Sequence, residues 1–338
     1  MRKEPLLGPW VRRYLAEHLV TERNLARNTQ LSYRDTLALL LPFVSDVAHR
    51  AVDRLLVTDV SAERVRLFLQ HLEQDRGCST ATRNQRLAAI RAFAGFVALR
   101  SPEHVEWCGQ VRSLPLKKVT TTPVCYLEQP EIDALLAAPD PLTARGRRER
   151  LLLKFLYNTG ARATEASQVR VSSLMPEAGS GDRLVVRLEG KGRKTRLCPL
   201  WQSTSRELAE AVRGRPPDAH VFLNRCGRPL TRYGIYALVV RCAKAAARQQ
   251  PSLASKKVTP HSVRHTTATH LLRAGVDINT IRVWLGHASL ATTNIYAEID
   301  LAAKARAIDK CDVGKADEGE RGGAWKDDQE LMAFLGSL

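Results

Sequence analysis

Apolar side chains recur at helical spacing through the first hundred residues of the chain. The first stretch begins at Trp10, and the second ends near Pro42, because proline interrupts a helix interior. Hydroxyl residues typical of helix N-caps precede two more stretches, within segments 58–63 and 79–82. The pattern therefore predicts an all-helical domain of four helices over residues 1–100.

The last of these predicted helices carries arginines away from its apolar positions. Residues 101–123 then lose the periodicity, contain three prolines and a lysine pair, and predict a basic interdomain linker. The linker either follows a phosphate backbone or is solvated without a contact. The candidate DNA-binding residues of both segments are Arg83, Arg86, Arg91, Lys117 and Lys118.

From residue 124 onward, helical patterns surround a pair of strands. Residues 183–188 alternate in polarity, Gly190-Lys191-Gly192 predicts a turn, and residues 195–200 supply the return strand. Further helices are predicted from Pro130 and over residues 148–158, 231–247, 262–273, 278–285 and 290–297. The predicted fold class is mainly α with a small β-sheet (α+β), with domains at 1–100 and 124–300, the linker at 101–123 and a tail at 301–338.

The charge distribution favours a polyanionic partner. The 338 residues include 52 Lys+Arg and 35 Asp+Glu, a net charge of +17. Residues 1–123 carry 19 basic and 12 acidic residues (+7), residues 124–296 carry 27 and 13 (+14), and residues 297–338 carry 6 and 10 (−4). Two basic domains are suited to holding a polyanion from two sides, although a diffuse solvated surface has the same composition.

Composition also indicates the cellular compartment. No apolar run approaches the roughly 20 residues that span a bilayer, and the N-terminus lacks the apolar segment of a signal peptide. The seven cysteines are scattered, which is typical of reduced thiols. We therefore expect a cytoplasmic protein without membrane contact. An apolar patch at residues 331–335, behind the charged segment 317–330, docks either on a partner subunit or on its own domain.

Several polar residues of the second domain have an ordinary interpretation when each is taken alone. Arg162, just after Gly160 and three residues before Glu165, is typical of a surface ion pair, and Lys191 at a hairpin tip is typical of a solvated lysine. His261, Arg264 and His265 share a helix face. A metal pair is disfavoured there because Arg264 would repel the cation. His287 and Tyr296 separately resemble core side chains.

Together these residues form a set suited to splitting a phosphodiester. Guanidinium groups bind the non-bridging oxygens, a phenol is a competent nucleophile once deprotonated, and imidazole and ammonium groups transfer protons. The members of the set are Arg162, Lys191, His261, Arg264, His287 and Tyr296.

The order and spacing of these residues resemble the tyrosine recombinase/integrase family. The matching motifs are Thr159-Gly-Ala-Arg162, Gly-Lys191-Gly, His261-x-x-Arg264-His265, Leu285-Gly-His287 and Tyr296, which follows nine residues after His287. The resemblance extends more weakly over residues 10–100, which look like the family's helical core-binding (SAM-like) domain. It implies a tyrosine-recombinase catalytic domain over residues 124–300.

The resemblance also implies a role for each matched residue. Tyr296 is the expected nucleophile, forming a 3′-phosphotyrosyl intermediate, and Arg162 and Arg264 are expected to hold the phosphate. Lys191, with Lys194 as its rival, is expected to protonate the leaving 5′-oxygen. His261 is the expected general acid/base, and His287 is expected to hydrogen-bond the phosphate. Glu165 is expected to orient Arg162 or its helix, which is a structural role.

The implied enzyme is a site-specific DNA recombinase that works without a metal ion, ATP or another cofactor. Its expected partners are double-stranded DNA recombination sites and further subunits, in a homotetramer or in a heterotetramer with related recombinases. The expected role is integration, excision or transposition of a mobile element, and the alternative is Xer-like resolution of chromosome or plasmid dimers. A type IB topoisomerase-like enzyme and a non-catalytic DNA-binding protein are the more distant alternatives.

Overall fold

Two units make up the chain in the computed structural model, Met1–Thr122 and Pro123–Leu338. The structure describes residues 6–119, 124–177, 179, 182–190 and 194–286. The predicted helix at 290–297 and the predicted apolar patch at 331–335 lie outside these residues. The predicted fold class, mainly α with a small sheet, is confirmed.

The N-terminal unit is helical and buries its apolar side chains in one core. A π-helical segment, Tyr14–Glu22, continues the first helix. The α-helices are α1 (Leu7–Arg13), α2 (Arg27–Ala48), α3 (Ala62–Gln74), α4 (Thr80–Ala98) and α5 (Val105–Ser113). Ser61 and Ser79 accept hydrogen bonds from first-turn amides of α3 and α4, which confirms the predicted hydroxyl caps.

Helix α2 continues through Pro42, so the predicted end at this proline was wrong. An interior proline costs a helix about 3 kcal/mol. Burial opposes that cost, since Leu37, Leu40 and Val44 continue one apolar face on both sides of the proline. The helix ends instead at His49, whose backbone is left-handed with φ of 49°.

The predicted linker was also wrong over most of its length, because α5 lies within it and belongs to the N-terminal core. Trp107, Cys108 and Val111 are buried there, and the Trp107 indole donates a 2.9 Å hydrogen bond to the Val60 carbonyl. The prolines that suggested a linker stand outside this helix rather than within it, which is where proline is tolerated.

The second unit places helices around a three-stranded antiparallel sheet of order β1-β2-β3. Val186 on the central strand pairs with Leu174 on one side and Cys198 on the other. The strands are β1 (Leu174–Pro176), β2 (Leu184–Glu189) and β3 (Thr195–Pro199). The predicted hairpin is confirmed as β2 and β3, whereas β1 was not predicted.

The helices of the second unit carry the candidate site at their ends. They are α6 (Gln129–Ala137), α7 (Ala144–Thr159), α8 (Ala163–Gln168), α9 (Gln202–Val212), α10 (Arg232–Ala246), α11 (Pro260–Arg273) and α12 (Ile278–Leu285). Arg162 stands at the start of α8, just after the turn that ends α7, and His261 and Arg264 stand near the start of α11. Within the described ranges, none of the helices is long and apolar enough to cross a membrane.

Candidate active site

Three of the predicted catalytic residues meet in one open cleft of about 370 Å³. Arg162, His261 and Arg264 line it, although Arg162 is about a hundred residues from the other two in sequence. Arg232, Tyr233 and Tyr236 at the start of α10 complete the wall, and sequence reasoning did not identify them. The predicted Lys191, His287 and Tyr296 lie outside the described residues.

A tight turn after α7 positions Arg162. Gly160 ends α7 with φ of +60°, and a Cβ built there would lie 2.5 Å from a methyl group of Leu285. Both the backbone conformation and the space therefore require glycine. Arg162 follows as the N-cap residue of α8, where its backbone N–H donates to Glu165 Oε2 at 2.9 Å. Its Nη1 donates to Glu165 Oε1 at 2.6 Å.

Arg264 lies at the base of the cleft and is only 1% exposed. Its Nη1 donates to the Gly160 carbonyl at 2.6 Å, and its Nη2 donates to the Leu285 carbonyl at 2.5 Å. The guanidinium thus connects the turn after α7 to the end of α12. These two hydrogen bonds fix the orientation of the guanidinium, as charge stabilisation in a preorganised site requires.

His261 stands in the first turn of α11 with its ring facing the cleft. The Thr259 hydroxyl caps this helix by accepting a 3.2 Å hydrogen bond from the Ser262 N–H. The rings of His261 and His265 pack edge to face, with their centroids 4.3 Å apart. Partial burial, followed by the charges of Arg264 and Arg162, lowers the pKa of His261 below its ordinary value. The imidazole is therefore neutral at pH 7 and able to accept a proton.

Glu165 is a buried carboxylate that joins Arg162 to a second arginine, Arg196. Its side chain is 3% exposed and accepts a 2.7 Å hydrogen bond from Arg196 Nη2. Burial acts to raise the pKa of Glu165, but hydrogen bonds and charge from Arg196, aided by Arg162, outweigh it and lower the pKa. The carboxylate is therefore ionised, and the cations around it outnumber it.

Sequence reasoning did not identify Arg196, although β3 contains a signal. In β3 the buried positions alternate, and Arg196 shares the buried face with Cys198. A charged residue at an inward strand position requires a partner, which in this unit is Glu165. That requirement was the available clue.

Each of the two units matches one protein-family domain. Residues 126–302 match the phage integrase family, and residues 11–100 match the phage integrase N-terminal SAM-like domain. The chain belongs to the phage integrase family of tyrosine recombinases. Members of this family cleave and rejoin DNA, so the activity expected from the sequence is confirmed at the level of the family.

Relatives of this recombinase carry names from two functional classes. It is 36% identical to the integrase/recombinase y4rC of Sinorhizobium fredii, over all of both chains. It is 30% identical to tyrosine recombinase XerD of Pseudomonas putida, over 84% of this chain and 90% of that protein. The solved structure of the Tn1549 transposon integrase with circular intermediate DNA has the same fold, with a TM-score of 0.67, 17% identity and coverage of 89% and 99%.

The candidate DNA-binding residues of the recombinase's N-terminal unit differ in their surroundings. Arg83 is 6% exposed and donates to the Pro115 carbonyl at 2.9 Å, so it lies in the interior and not on an exposed basic face. Arg91 donates to the Leu114 carbonyl, and Arg86 is half-buried. Lys117 pairs with Glu73 at 2.7 Å, and Lys118 is exposed. Contact of these residues with DNA stays a prediction.

Proposed function

We propose that this chain is a site-specific recombinase that cuts DNA through a covalent bond to Tyr296. The Tyr296 oxygen attacks the scissile phosphorus, the bond from phosphorus to the 5′-oxygen breaks, and a 3′-phosphotyrosyl linkage forms beside a free 5′-hydroxyl. A 5′-hydroxyl from a partner strand then reverses the step and releases the tyrosine. The energy of the broken bond is kept in the intermediate, so rejoining needs no ATP.

The main support for the proposal is that Arg162, His261 and Arg264 line one cleft. The two guanidinium groups are suited to the non-bridging oxygens and to the negative charge that grows as the phosphorus becomes five-coordinate. Neutral His261 accepts the phenol proton and returns it when the strand is rejoined. These are the tasks that a phosphotyrosyl mechanism assigns to protein side chains.

The remaining roles complete the proton balance. Lys191 gives its proton to the departing 5′-oxygen, and Lys194 is the alternative donor. His287 donates a hydrogen bond to a non-bridging oxygen. Glu165 supports Arg162, in agreement with the 2.6 Å contact between their side chains.

We propose that the biological role is integration, excision or transposition of a mobile element. The relative y4rC, named an integrase/recombinase, aligns over the whole of both chains at 36% identity, and this similarity supports the proposal. Xer-like dimer resolution is the second candidate, supported by relatives named XerD and XerC at 30–32% identity. Sequencing the cellular DNA attached to Tyr296 separates them, since a mobile element presents its own ends and dimer resolution uses one chromosomal site.

The proposed assembly contains four subunits on two DNA sites, either identical or shared with a related recombinase, in the cytoplasm. The tail patch at residues 331–335, which lies outside the described residues, is proposed to dock on a neighbouring subunit. Deleting residues 325–338 should weaken cooperative binding in a gel-shift titration. An unchanged titration would remove the tail from the proposal.

The decisive experiment uses suicide DNA in which a nick beside the scissile phosphate traps the covalent intermediate. The wild-type chain should form a protease-sensitive adduct in EDTA, and Tyr296→Phe should form none while binding the same DNA. An adduct in the Tyr296→Phe variant would contradict the nucleophile assignment. Loss of cleavage in EDTA would indicate a metal-dependent nuclease, and relaxation of supercoiled DNA without paired sites would indicate topoisomerase-like activity.

A further inference from the structure

Arg196 joins three segments of the catalytic unit that are distant in sequence. It stands on β3, its Nη2 donates to Glu165 Oε2 on α8 at 2.7 Å, and its Nε donates to the Trp284 carbonyl on α12 at 2.8 Å. Its side chain is 7% exposed. The partners lie 31 and 88 positions away along the chain, so these two hydrogen bonds fix tertiary geometry rather than local structure.

Only a guanidinium group makes this connection. It presents five N–H donors in a rigid plane, so one side chain serves a carboxylate and a carbonyl in different directions. A lysine ammonium is a single point charge on a flexible stem and would satisfy one partner at the expense of the other. Burying an arginine is costly unless a counter-ion and hydrogen bonds compensate, and Glu165 with the Trp284 carbonyl supplies both.

Glu165 couples the position of Arg162 to that of Arg196, because it binds both side chains. The carboxylate uses Oε1 for Arg162 Nη1 at 2.6 Å and Oε2 for Arg196 Nη2 at 2.7 Å. Removing Arg196 therefore leaves a buried carboxylate with half of its charge partners, and Glu165 is then free to rotate toward Arg162 or toward solvent. Either movement displaces the Arg162 guanidinium in the cleft.

The second hydrogen bond of Arg196, from its Nε, holds the end of α12. Arg196 binds the Trp284 carbonyl and Arg264 binds the next carbonyl, Leu285, so two arginines satisfy neighbouring acceptors that a helix C-terminus leaves without partners. Gly286 follows with φ of +66°, and a Cβ built there would lie 3.2 Å from Arg196 Cδ and Nη1. Glycine thus permits close approach of the turn to the guanidinium, one residue before the predicted phosphate ligand His287.

We propose that Arg196 is a positioning residue. It fixes Arg162, through Glu165, relative to the turn at Gly286. The inference rests on the proposed function, because it assigns Arg196 an effect on the rate of phosphotyrosyl formation. Arg196 itself acts from behind Glu165 and makes no contact with the phosphate.

The test combines Arg196→Gln and Arg196→Lys with a double-mutant cycle against Arg162→Gln, on suicide DNA at saturating concentration. Arg196→Gln should slow adduct formation by about 10- to 100-fold, as loss of a charged hydrogen-bonding partner does. Arg196→Lys should recover only part of the rate. DNA affinity should stay within about threefold, because an interaction made only in the transition state changes the rate rather than binding.

The cycle distinguishes positioning from general stabilisation. If Arg196 acts chiefly through Arg162, Arg196→Gln should slow the Arg162→Gln variant much less than it slows the wild-type chain. Multiplying effects would show that the two residues act independently and would overturn the proposal. A wild-type rate in folded Arg196→Gln would also overturn it. If Arg196→Gln does not fold, the same cycle is completed with Arg196→Lys, which keeps the charge beside Glu165.

A matched control is available in the same unit. Lys256 Nζ donates to Glu131 Oε2 at 2.6 Å, and Glu131 is buried to a similar degree as Glu165, with its side chain 4% exposed. Lys256 does not line the cleft. Lys256→Gln should lower the unfolding temperature and leave the cleavage rate unchanged, and equal slowing in this variant would count against a specific role for Arg196. Tyr296→Phe is run in parallel, since an adduct there contradicts the proposed function rather than the role of Arg196.

Discussion

Each unit buries a carboxylate between two arginines. The two clusters differ in what else these arginines contact. In the N-terminal unit, Asp59 accepts from Arg50 at 2.9 Å, from Arg64 at 3.2 Å and from the Leu56 N–H at 2.8 Å. In the catalytic unit, Glu165 accepts from Arg162, from Arg196 and from a backbone N–H in the same way. The local chemistry is almost the same.

The two clusters differ in how exposed their arginines are and in how far along the chain the arginines' partners lie. Arg50 and Arg64 are 40% and 29% exposed, and among the described residues their side-chain hydrogen bonds stay within residues 50–64. Arg196 is buried and extends to α12, while Arg162 opens into a cleft that also holds His261. A buried carboxylate between arginines is therefore a common way to hold a turn. A catalytic centre additionally needs a cation with a free face toward substrate and a proton carrier beside it.

The largest expected effect comes from the arginine at the base of the cleft. Arg264→Gln should slow adduct formation by about 10²- to 10³-fold, the usual cost of removing one preorganised group that stabilises transition-state charge. Arg64→Gln in the N-terminal cluster should leave the rate at saturating DNA unchanged. Rates from trapped adduct on suicide DNA check both variants. Equal slowing by the two would mean that the catalytic cluster is no more specialised than the other.

The two carboxylates give the next largest effect. Glu165→Gln should lower the free energy of unfolding by up to about 3–5 kcal/mol, because buried Arg196 loses its charged partner. Asp59→Asn should lower it by less, because Arg50 and Arg64 are partly exposed. Only Glu165→Gln should also slow cleavage, by about 10- to 100-fold. Urea unfolding and adduct formation measure the two quantities separately. A slow Asp59→Asn variant at saturating DNA would show that rate simply follows stability.

Local signals in the sequence were sufficient for most helices and for three of the residues that line the cleft. The apolar period gave the bounds of α12, and Ser79 marked the start of α4 because a hydroxyl cap acts within one turn. Arg162, His261 and Arg264 were identified as a chemical set, and the structure brings these three together. Lys191, His287 and Tyr296 lie outside the described residues, so their part in the site stays a prediction.

The features that sequence reasoning missed depend on contacts between distant segments. Helix α5 was interpreted as part of a linker because the prolines on either side of it outweighed its apolar side chains, and only the core shows that Trp107 is buried. Strand β1 is three residues long, which is too short for an alternating pattern. Arg196 was missed because its partners, Glu165 and Trp284, lie far along the chain, and no local rule connects them.

The pH dependence of His261 gives a smaller effect that also separates rate from stability. Because the folded pKa lies below the ordinary value of 6.5, the unfolded chain takes up a proton first as the pH falls. The free energy of unfolding should therefore start to decrease as the pH falls through 6.5, whereas the cleavage rate should hold from about pH 8 through 6.5 and fall only at the lower pH where folded His261 becomes protonated. His261→Asn should remove its share of the stability change.

His270 is the matched control for this prediction. Its pKa is also lowered, chiefly by burial, but its ring bonds the Tyr157 hydroxyl at 2.7 Å and does not line the cleft. His270→Asn should make the stability profile shallower and leave the shape of the rate profile intact. A rate profile that shifts in His270→Asn as much as in His261→Asn would assign the titration to folding rather than to proton transfer.

The smallest expected effect compares an exposed cation with an internal one in the N-terminal unit. Each phosphate neutralised by a side chain contributes about 0.9 to the slope of log affinity against log salt. Lys118 is exposed, so Lys118→Gln should reduce the slope by about one if it meets a phosphate. Arg83 gives its guanidinium to the Pro115 carbonyl, so Arg83→Met should destabilise the unit without changing the slope. A reduced slope in Arg83→Met would mean that DNA draws this side chain out of the interior, and that the N-terminal arginines serve substrate as directly as those of the cleft.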